Sequence, residues 1–368
     1  MEMSAPPMLR VGVIGAGANT RKLHIPLLQK LPGVAVTHVA NRSPESSARV
    51  AAELAIPHAC TPPEILGNPA IDAVVIGTWP YKHCEYSVRA LRAGKHVLTE
   101  ARMAMDVPEA LEMLEAAQAN PHLVAQIVPS PFTLRFDATV KRLLDSGYLG
   151  QLLAVEVTGC PGSFADLDSS QEVTWRQSRE LSGNNVMTMG IFVEALMRWI
   201  GPASIVVAAS SRVFADQKLG WDGKPVRVEI PDHLDIIADF ECGCRGHMQF
   251  SSVTGLRDNC NEFWLFGTDG TLHLSVSSGK LRAGKRGEKL QDVQPPPTTV
   301  SETSLANGWR VEEEFVGAIR GKERVKHTSF LDGLAYMRFT DAVALALQTK
   351  GAVQVSTASA PTTRRAAM

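Results

Sequence analysis

No stretch of this 368-residue chain stays apolar for the roughly 20 residues that a bilayer-spanning helix needs, so no membrane anchor is expected. Its opening, MEMSAPPMLR, lacks the apolar core of a signal peptide, which argues against secretion. A surplus of either charge sign is missing too. The formal net charge is -1, which speaks against nucleic acid or an anionic membrane as partner. Cysteine is sparse: Cys60, Cys84, Cys160, Cys242, Cys244 and Cys260 are scattered through a large chain, a pattern of reduced cytoplasmic thiols rather than a disulfide framework. Cys242 and Cys244 would share one face of a strand, but no second Cys or His pair stands at metal spacing, so no metal is expected. There is no internal repeat.

The length is that of two domains. Residues 10 to 128 alternate short apolar runs with helix-like stretches. RVGVIGAG reads as a strand entering a glycine turn, with a helix over Thr20–Leu31. Val34–Asn41 and Pro44–Leu54 repeat the pair. Ala73–Gly77, apolar throughout, reads as a strand buried on both faces. Cys84–Ala93 is a helix closed by Gly94, followed by a strand at His96–Thr99, a helix at Val107–Ala119 and a strand at His122–Val128. This alternation predicts an α/β domain with a doubly wound parallel sheet over residues 9–129, after a flexible start at 1–8. Residues 130–355 change rhythm. Helices are expected at Ala138–Ser146, Asn185–Trp199, Val311–Arg320 and Gly333–Leu347, and a strand at Gln151–Thr158. Further strands fall between Ser204 and Leu274, making an α+β domain with a large, mostly antiparallel open sheet. Gln294-Pro-Pro-Pro-Thr reads as a loop and 356–368 as a disordered tail.

The chemistry-bearing motif is Gly15-Ala16-Gly17, where the first strand meets the first helix. The first glycine permits the tight turn and the second lets the backbone approach a pyrophosphate, which the free amides of the helix start stabilise. Ala18, Asn19 and Thr20 continue that cradle, although Thr20 stands where the dinucleotide fingerprint usually has its third glycine or alanine. The second strand ends in Asn41-Arg42-Ser43, without the acidic side chain that normally takes the ribose 2′-hydroxyl of NAD. Arg42 and Ser43 suit a 2′-phosphate instead, so NADP(H) is favoured and NAD(H) possible.

The chain resembles the glucose–fructose oxidoreductase / inositol dehydrogenase (Gfo/Idh/MocA) family over about residues 9 to 355. The matching pieces are VGVIGAG with His24 after it, IDAVVIGTWPYKH, RALRAGKHVLTE, LRFDATVKRLLDSGYLGQLLAVEV, WRQSRELSGNN, PDH at 231–233 and FGTDGTLHL. The resemblance implies an oxidoreductase acting on a small hydroxyl or carbonyl substrate, with a second domain covering the nicotinamide. It further implies Thr78, Trp79, His83, Glu100 and Arg102 about the cofactor, and, by analogy, a homodimer or homotetramer.

The departures fall on proton handling. The family's Glu-Lys-Pro signature lies on Glu100-Ala101-Arg102, so its lysine is lost; its aspartate and histidine positions become Thr188 and Phe192, four apart on one helix face. General acid–base catalysis needs a group with a suitable pKa within reach. His83 and Tyr81 are the candidate proton donors, and Arg102 the candidate carbonyl polariser or carboxylate clamp. Trp175, Arg176, Asn184, Asn185, Thr188 and Phe192 are the substrate-side candidates, the last making the pocket less polar than a sugar site. Two other readings remain open. One is a nicotinamide-dependent lyase or hydrolase without net redox. The other is a catalytically silent protein that binds a dinucleotide or ligand for regulation.

Overall fold

The computed structural model describes residues 7–161, 167–254, 260–295 and 307–355. Most of the Pro-rich loop expected from Gln294, and the expected tail at 356–368, lie outside the described residues.

The first half is a six-stranded parallel sheet in the order β3-β2-β1-β4-β5-β6. Its strands are β1 (Leu9–Ile14), β2 (Val34–Ala40), β3 (His58–Ala59), β4 (Ala73–Ile76), β5 (His96–Thr99) and β6 (Ala125–Ile127). Every residue of β4 is buried, as its unbroken apolar run requires of a strand covered on both faces. Helices α1 (Ile25–Lys30), α2 (Pro44–Glu53), α3 (Pro62–Gly67), α4 (His83–Arg92) and α5 (Val107–Gln118) supply the crossovers. A π-helical turn, Thr20–His24, precedes α1. The chain reverses strand order between β1 and β4, and in such sheets ligands bind at the carboxyl ends of the strands flanking that point.

The second half builds a nine-stranded sheet, ordered β16-β15-β14-β13-β7-β12-β11-β8-β17. Its strands in chain order are β7 (Leu152–Cys160), β8 (Ala203–Arg212), β11 (His233–Phe240), β12 (Arg245–Ser251), β13 (Cys260–Gly267), β14 (Gly270–Ser275), β15 (Lys280–Lys285), β16 (Gln291–Val293) and β17 (Val353–Gln354), with a separate ribbon of β9 (Gln217–Leu219) and β10 (Pro225–Arg227). Pairing is antiparallel except between β7 and β12. α6 (Leu134–Asp145), the short α7 (Arg179–Ser182), α8 (Met189–Ile200) and α10 (Phe330–Thr349) complete this half. Phe192 and Trp199 of α8 pack on Phe263 of β13, burying one face of the sheet.

Three expectations change. α8 begins at Met189 rather than Asn185, because Met187 takes a positive φ of 44° and interrupts the helix. Cys242 and Cys244 do not share a strand face: they occupy the turn between β11 and β12, Cys242 exposed and Cys244 buried, with Gly243 at φ 88° between them. α9 (Val311–Ile319), which the sequence places with the second half, packs into the first-half core: Trp309, Val311, Phe315 and Val316 cluster with Val11, Val13 and Leu28. Among the described residues no helix is long and apolar enough to cross a membrane.

Candidate active site

The glycine turn is shaped by close approach. Gly15 sits at φ 86°, and a Cβ there would lie 2.6 Å from the Thr78 amide nitrogen. The missing third glycine has a substitute across the sheet. Thr20 is buried, and a Cβ on Gly77 would come 2.0 Å from its Oγ1 and 2.2 Å from the Gly15 carbonyl oxygen. Gly77 therefore provides the clearance that residue 20 does not. Asn41, at the end of β2, accepts the Ala16 amide at 2.7 Å through Oδ1 and donates to Ser46 Oγ at 3.1 Å, tying the turn to α2.

These segments enclose a cavity of about 510 Å³ whose walls include Gly15, Gly17, Asn41, Arg42, Thr78, Trp79 and Tyr81. Seven of the expected residues are thus brought together. Thr78 Oγ1 is buried there without a hydrogen-bond partner among the described residues. Helix amides at Ala18 and Asn19, a backbone bare of side chains and a spare hydroxyl suit a dinucleotide diphosphate. Ser43 lies next door, capping α2 by accepting the Ser46 amide. With Asn41, Arg42 and Ser47 it lines an adjoining cavity of about 330 Å³. Sequence reasoning missed Ser46, Pro62, Lys82 and Tyr86 in the main cavity, since they come from elements whose approach only the fold sets.

Glu100 and Arg102 lie outside that cavity. Burial favours a neutral Glu100, but hydrogen bonds and charge from His24, helped by the Ala101 amide and Asn19, hold its carboxyl below the ordinary range. His24 is enclosed by Glu100, Glu312 and the Trp309 ring. Burial alone would lower its pKa; the two carboxylates override that and raise it to about 10. Glu312 had no local signal as a site residue because it arrives on α9 from the far end of the chain.

His83 is fully buried, with Nδ1 2.8 Å from the Arg102 carbonyl and Nε2 2.9 Å from the Thr78 carbonyl. Burial pulls its pKa below the usual histidine value against these two contacts. A ring so enclosed has no open route to a reacting atom. Its geometry is that of a tie between the loops after β4 and β5, which corrects the proton-donor expectation. Tyr81 is 37% exposed at the cofactor cavity.

Arg102 is 2% exposed, and its Nε has no partner among the described residues. Burial first, then the like charge of Arg176, lowers its pKa to about 10, so it stays a cation at neutral pH. Trp175 stands against both arginines, at 5.6 Å from the Arg102 and 4.3 Å from the Arg176 guanidinium carbon. It stacks on Trp79, which in turn stacks on the exposed Trp221.

Beyond Trp175 a second cavity of about 340 Å³ opens between α8 and the large sheet. Its walls include Arg176, Thr188 and Phe192 from the expected set, with Phe132, Met187 and Ile230. Asn184 and Asn185 do not line it. Asn184 donates to Asp341 at 2.8 Å. Asn185 donates to the Ala104 and Ser182 carbonyls at 2.8 and 2.7 Å, holding the turn before α8. Thr188 is the N-cap of α8 rather than part of its face. Among the described residues no group of three His, Cys, Asp or Glu side chains is arranged for a metal.

Residues 9–126 match the model of an oxidoreductase family with an NAD-binding Rossmann fold, and residues 138–273 match the GFO/IDH/MocA C-terminal domain. An uncharacterized oxidoreductase of Synechocystis sp. is 27% identical over 342 residues, covering 87% of this chain and 89% of that protein. Inositol 2-dehydrogenase 3 of Saccharopolyspora erythraea is 29% identical over 145 residues, 39% of this chain and 42% of its own length. A levoglucosan dehydrogenase solved with NADH and L-sorbose superposes with a TM-score of 0.83 at 19% identity, covering 95% of this chain and 99% of its own, a likeness of fold. With a nicotinamide-dinucleotide-binding domain, a matching second domain and the glycine turn in place, the chain belongs to the Gfo/Idh/MocA family of oxidoreductases.

Proposed function

We propose that this chain is an NADP(H)-preferring oxidoreductase of a small hydroxyl or carbonyl compound. The observation that carries this reading is the cavity walled by the glycine turn, Arg42 and Trp79, with a second cavity walled by Arg176 and the start of α8 beyond the stack of Trp175 on Trp79. When bound, the nicotinamide supplies or accepts a hydride. The amides of Gly17, Ala18 and Asn19 hold the diphosphate, those of Gly15 and Ala16 being taken by the Ala40 carbonyl and Asn41. Arg42 and Ser43, with no carboxylate at position 41 to repel it, hold the 2′-phosphate. His83 fixes the loops after β4 and β5 relative to each other. Arg176, backed by the buried Arg102, polarises the substrate oxygen by charge, and Tyr81, exposed at the cofactor cavity, moves the proton. We also assign self-association to the outward face of the large sheet, where Trp264 stacks on His273 at 3.8 Å.

Calorimetric titration of Arg42→Ala with NADPH and NADH tests the cofactor assignment. NADPH should weaken roughly tenfold or more, the scale of a lost charge-assisted hydrogen bond, while NADH changes less than about twofold. Equal losses would remove Arg42 from 2′-phosphate recognition.

A further inference from the structure

A buried guanidinium is costly unless an anion compensates it. Arg102 has no such partner among the described residues: the charged or ionisable groups that act on it there are Arg176 and the Tyr336 phenol, neither a carboxylate. Its side chain lies against the first turn of α8, where Gly190 makes room, since a Cβ there would meet Arg102 Cδ at 2.8 Å. That turn contains no acidic residue, and Thr188 makes no side-chain capping bond. The start of this 12-residue helix therefore adds its positive end to two arginines.

The nearby carboxylates are held by other partners, although the Glu100 charge also reaches Arg176. Glu100 is paired with His24 at 3.1 Å. Asp232, in the wall of the second cavity, accepts the Phe214 amide at 2.9 and 3.0 Å and the Ala215 amide at 2.7 Å. What remains is a site of positive potential at the rim of a cavity walled by Phe132, Met187, Phe192 and Ile230. Its volume, about 340 Å³, is at the small end of ligand pockets. The apolar side of these walls rewards apolar surface, while Thr174, Gln177, Ser251, Ser252 and Asn261 on the other side offer hydrogen bonds to a polar end.

We propose that the second cavity binds a small monocarboxylate with an apolar or aromatic body, its carboxyl group at the first turn of α8 against Arg176, with the buried Arg102 adding its charge from behind Gly190 and Trp175. The assignment rests on this cavity being the substrate site of the oxidoreductase proposed above. Trp175 holds the two guanidinium groups near one another against their repulsion through its ring face.

The test uses the full chain and three probes, phenylpyruvate, its methyl ester and myo-inositol, titrated by tryptophan fluorescence with and without saturating NADPH. Phenylpyruvate should bind at least tenfold tighter than the ester, and inositol weakest. Arg176→Ala and Arg102→Ala should each shrink the acid-to-ester ratio at least fivefold, and Arg102→Lys should restore part of it. Should Arg102→Ala fail to fold, the exposed Arg176 carries the comparison. Equal affinity for acid and ester, a ratio unchanged in the variants, or tightest binding of inositol overturns the proposal. Failure to bind NADPH would sink the oxidoreductase reading separately, because the ratio without cofactor still decides this one.

Discussion

Replacing Gly77 with alanine tests whether this residue substitutes for the missing third glycine. The new Cβ would sit 2.0 Å from Thr20 Oγ1 and 2.2 Å from the Gly15 carbonyl oxygen. Both distances are more than an ångström inside ordinary carbon contact, roughly 3.5 Å. Neither neighbour yields easily. Thr20 is buried, in a π-helical turn, and stiff at χ1. The Gly15 oxygen belongs to a turn held at φ 86°. Relief requires moving the cradle by about an ångström, and overpacking of this kind costs about 1–3 kcal/mol. Urea unfolding should therefore show Gly77→Ala destabilised by that amount, and calorimetry should show NADPH weakened at least about tenfold, because the displaced amides are the ones aimed at the diphosphate. Adding Thr20→Ala removes one of the two close contacts and leaves the backbone oxygen, so the double variant should recover only part of the loss. If Gly77→Ala unfolds at the wild-type midpoint and binds NADPH as tightly, the close-approach account of the turn is wrong.

His24 has a pKa raised to about 10 from an ordinary 6.5, so its ion pairs contribute fully below about pH 6.5 and are lost as pH rises through 10. Stability measured by urea unfolding should fall across that window by up to about 1.4 kcal/mol per pH unit, and His24→Gln should flatten the slope; an unchanged slope would show that the ring is not charged in the folded state. Phe192, 1% exposed against Phe132, Phe250 and Phe263, should cost about 3–5 kcal/mol as Phe192→Ala. A loss under about 1 kcal/mol in the same assay would mean that the cavity wall collapses to refill the space. Ser329 caps α10 by accepting the Asp332 amide at 3.2 Å and, with the Asp332 carboxylate, completes a capping box. Ser329→Ala should lower stability by about 1 kcal/mol, and no change in thermal midpoint would deny the cap its role.

What the amino-acid order determined by itself is the local grammar. Unbroken apolar runs such as Ala73–Ile76 could only be strands buried on both faces, and Gly15-Ala16-Gly17 after such a run could only be a backbone-lined turn. The loss of an acid at Asn41 and of the lysine at Ala101 was equally legible, since an absent side chain needs no fold to be noticed. The tertiary structure decided which polar groups are free. His83 reads as a proton donor until two carbonyls from separate loops enclose it. Asn185 reads as a ligand until the Ala104 carbonyl, 81 positions away, takes its amide. The pairing of His24 with Glu312 spans 288 positions and brings α9 back onto the first sheet. Burial and partnering depend on contacts between segments distant in the chain, and those contacts set whether a given Arg, His or Asn is spent on structure or left for a ligand.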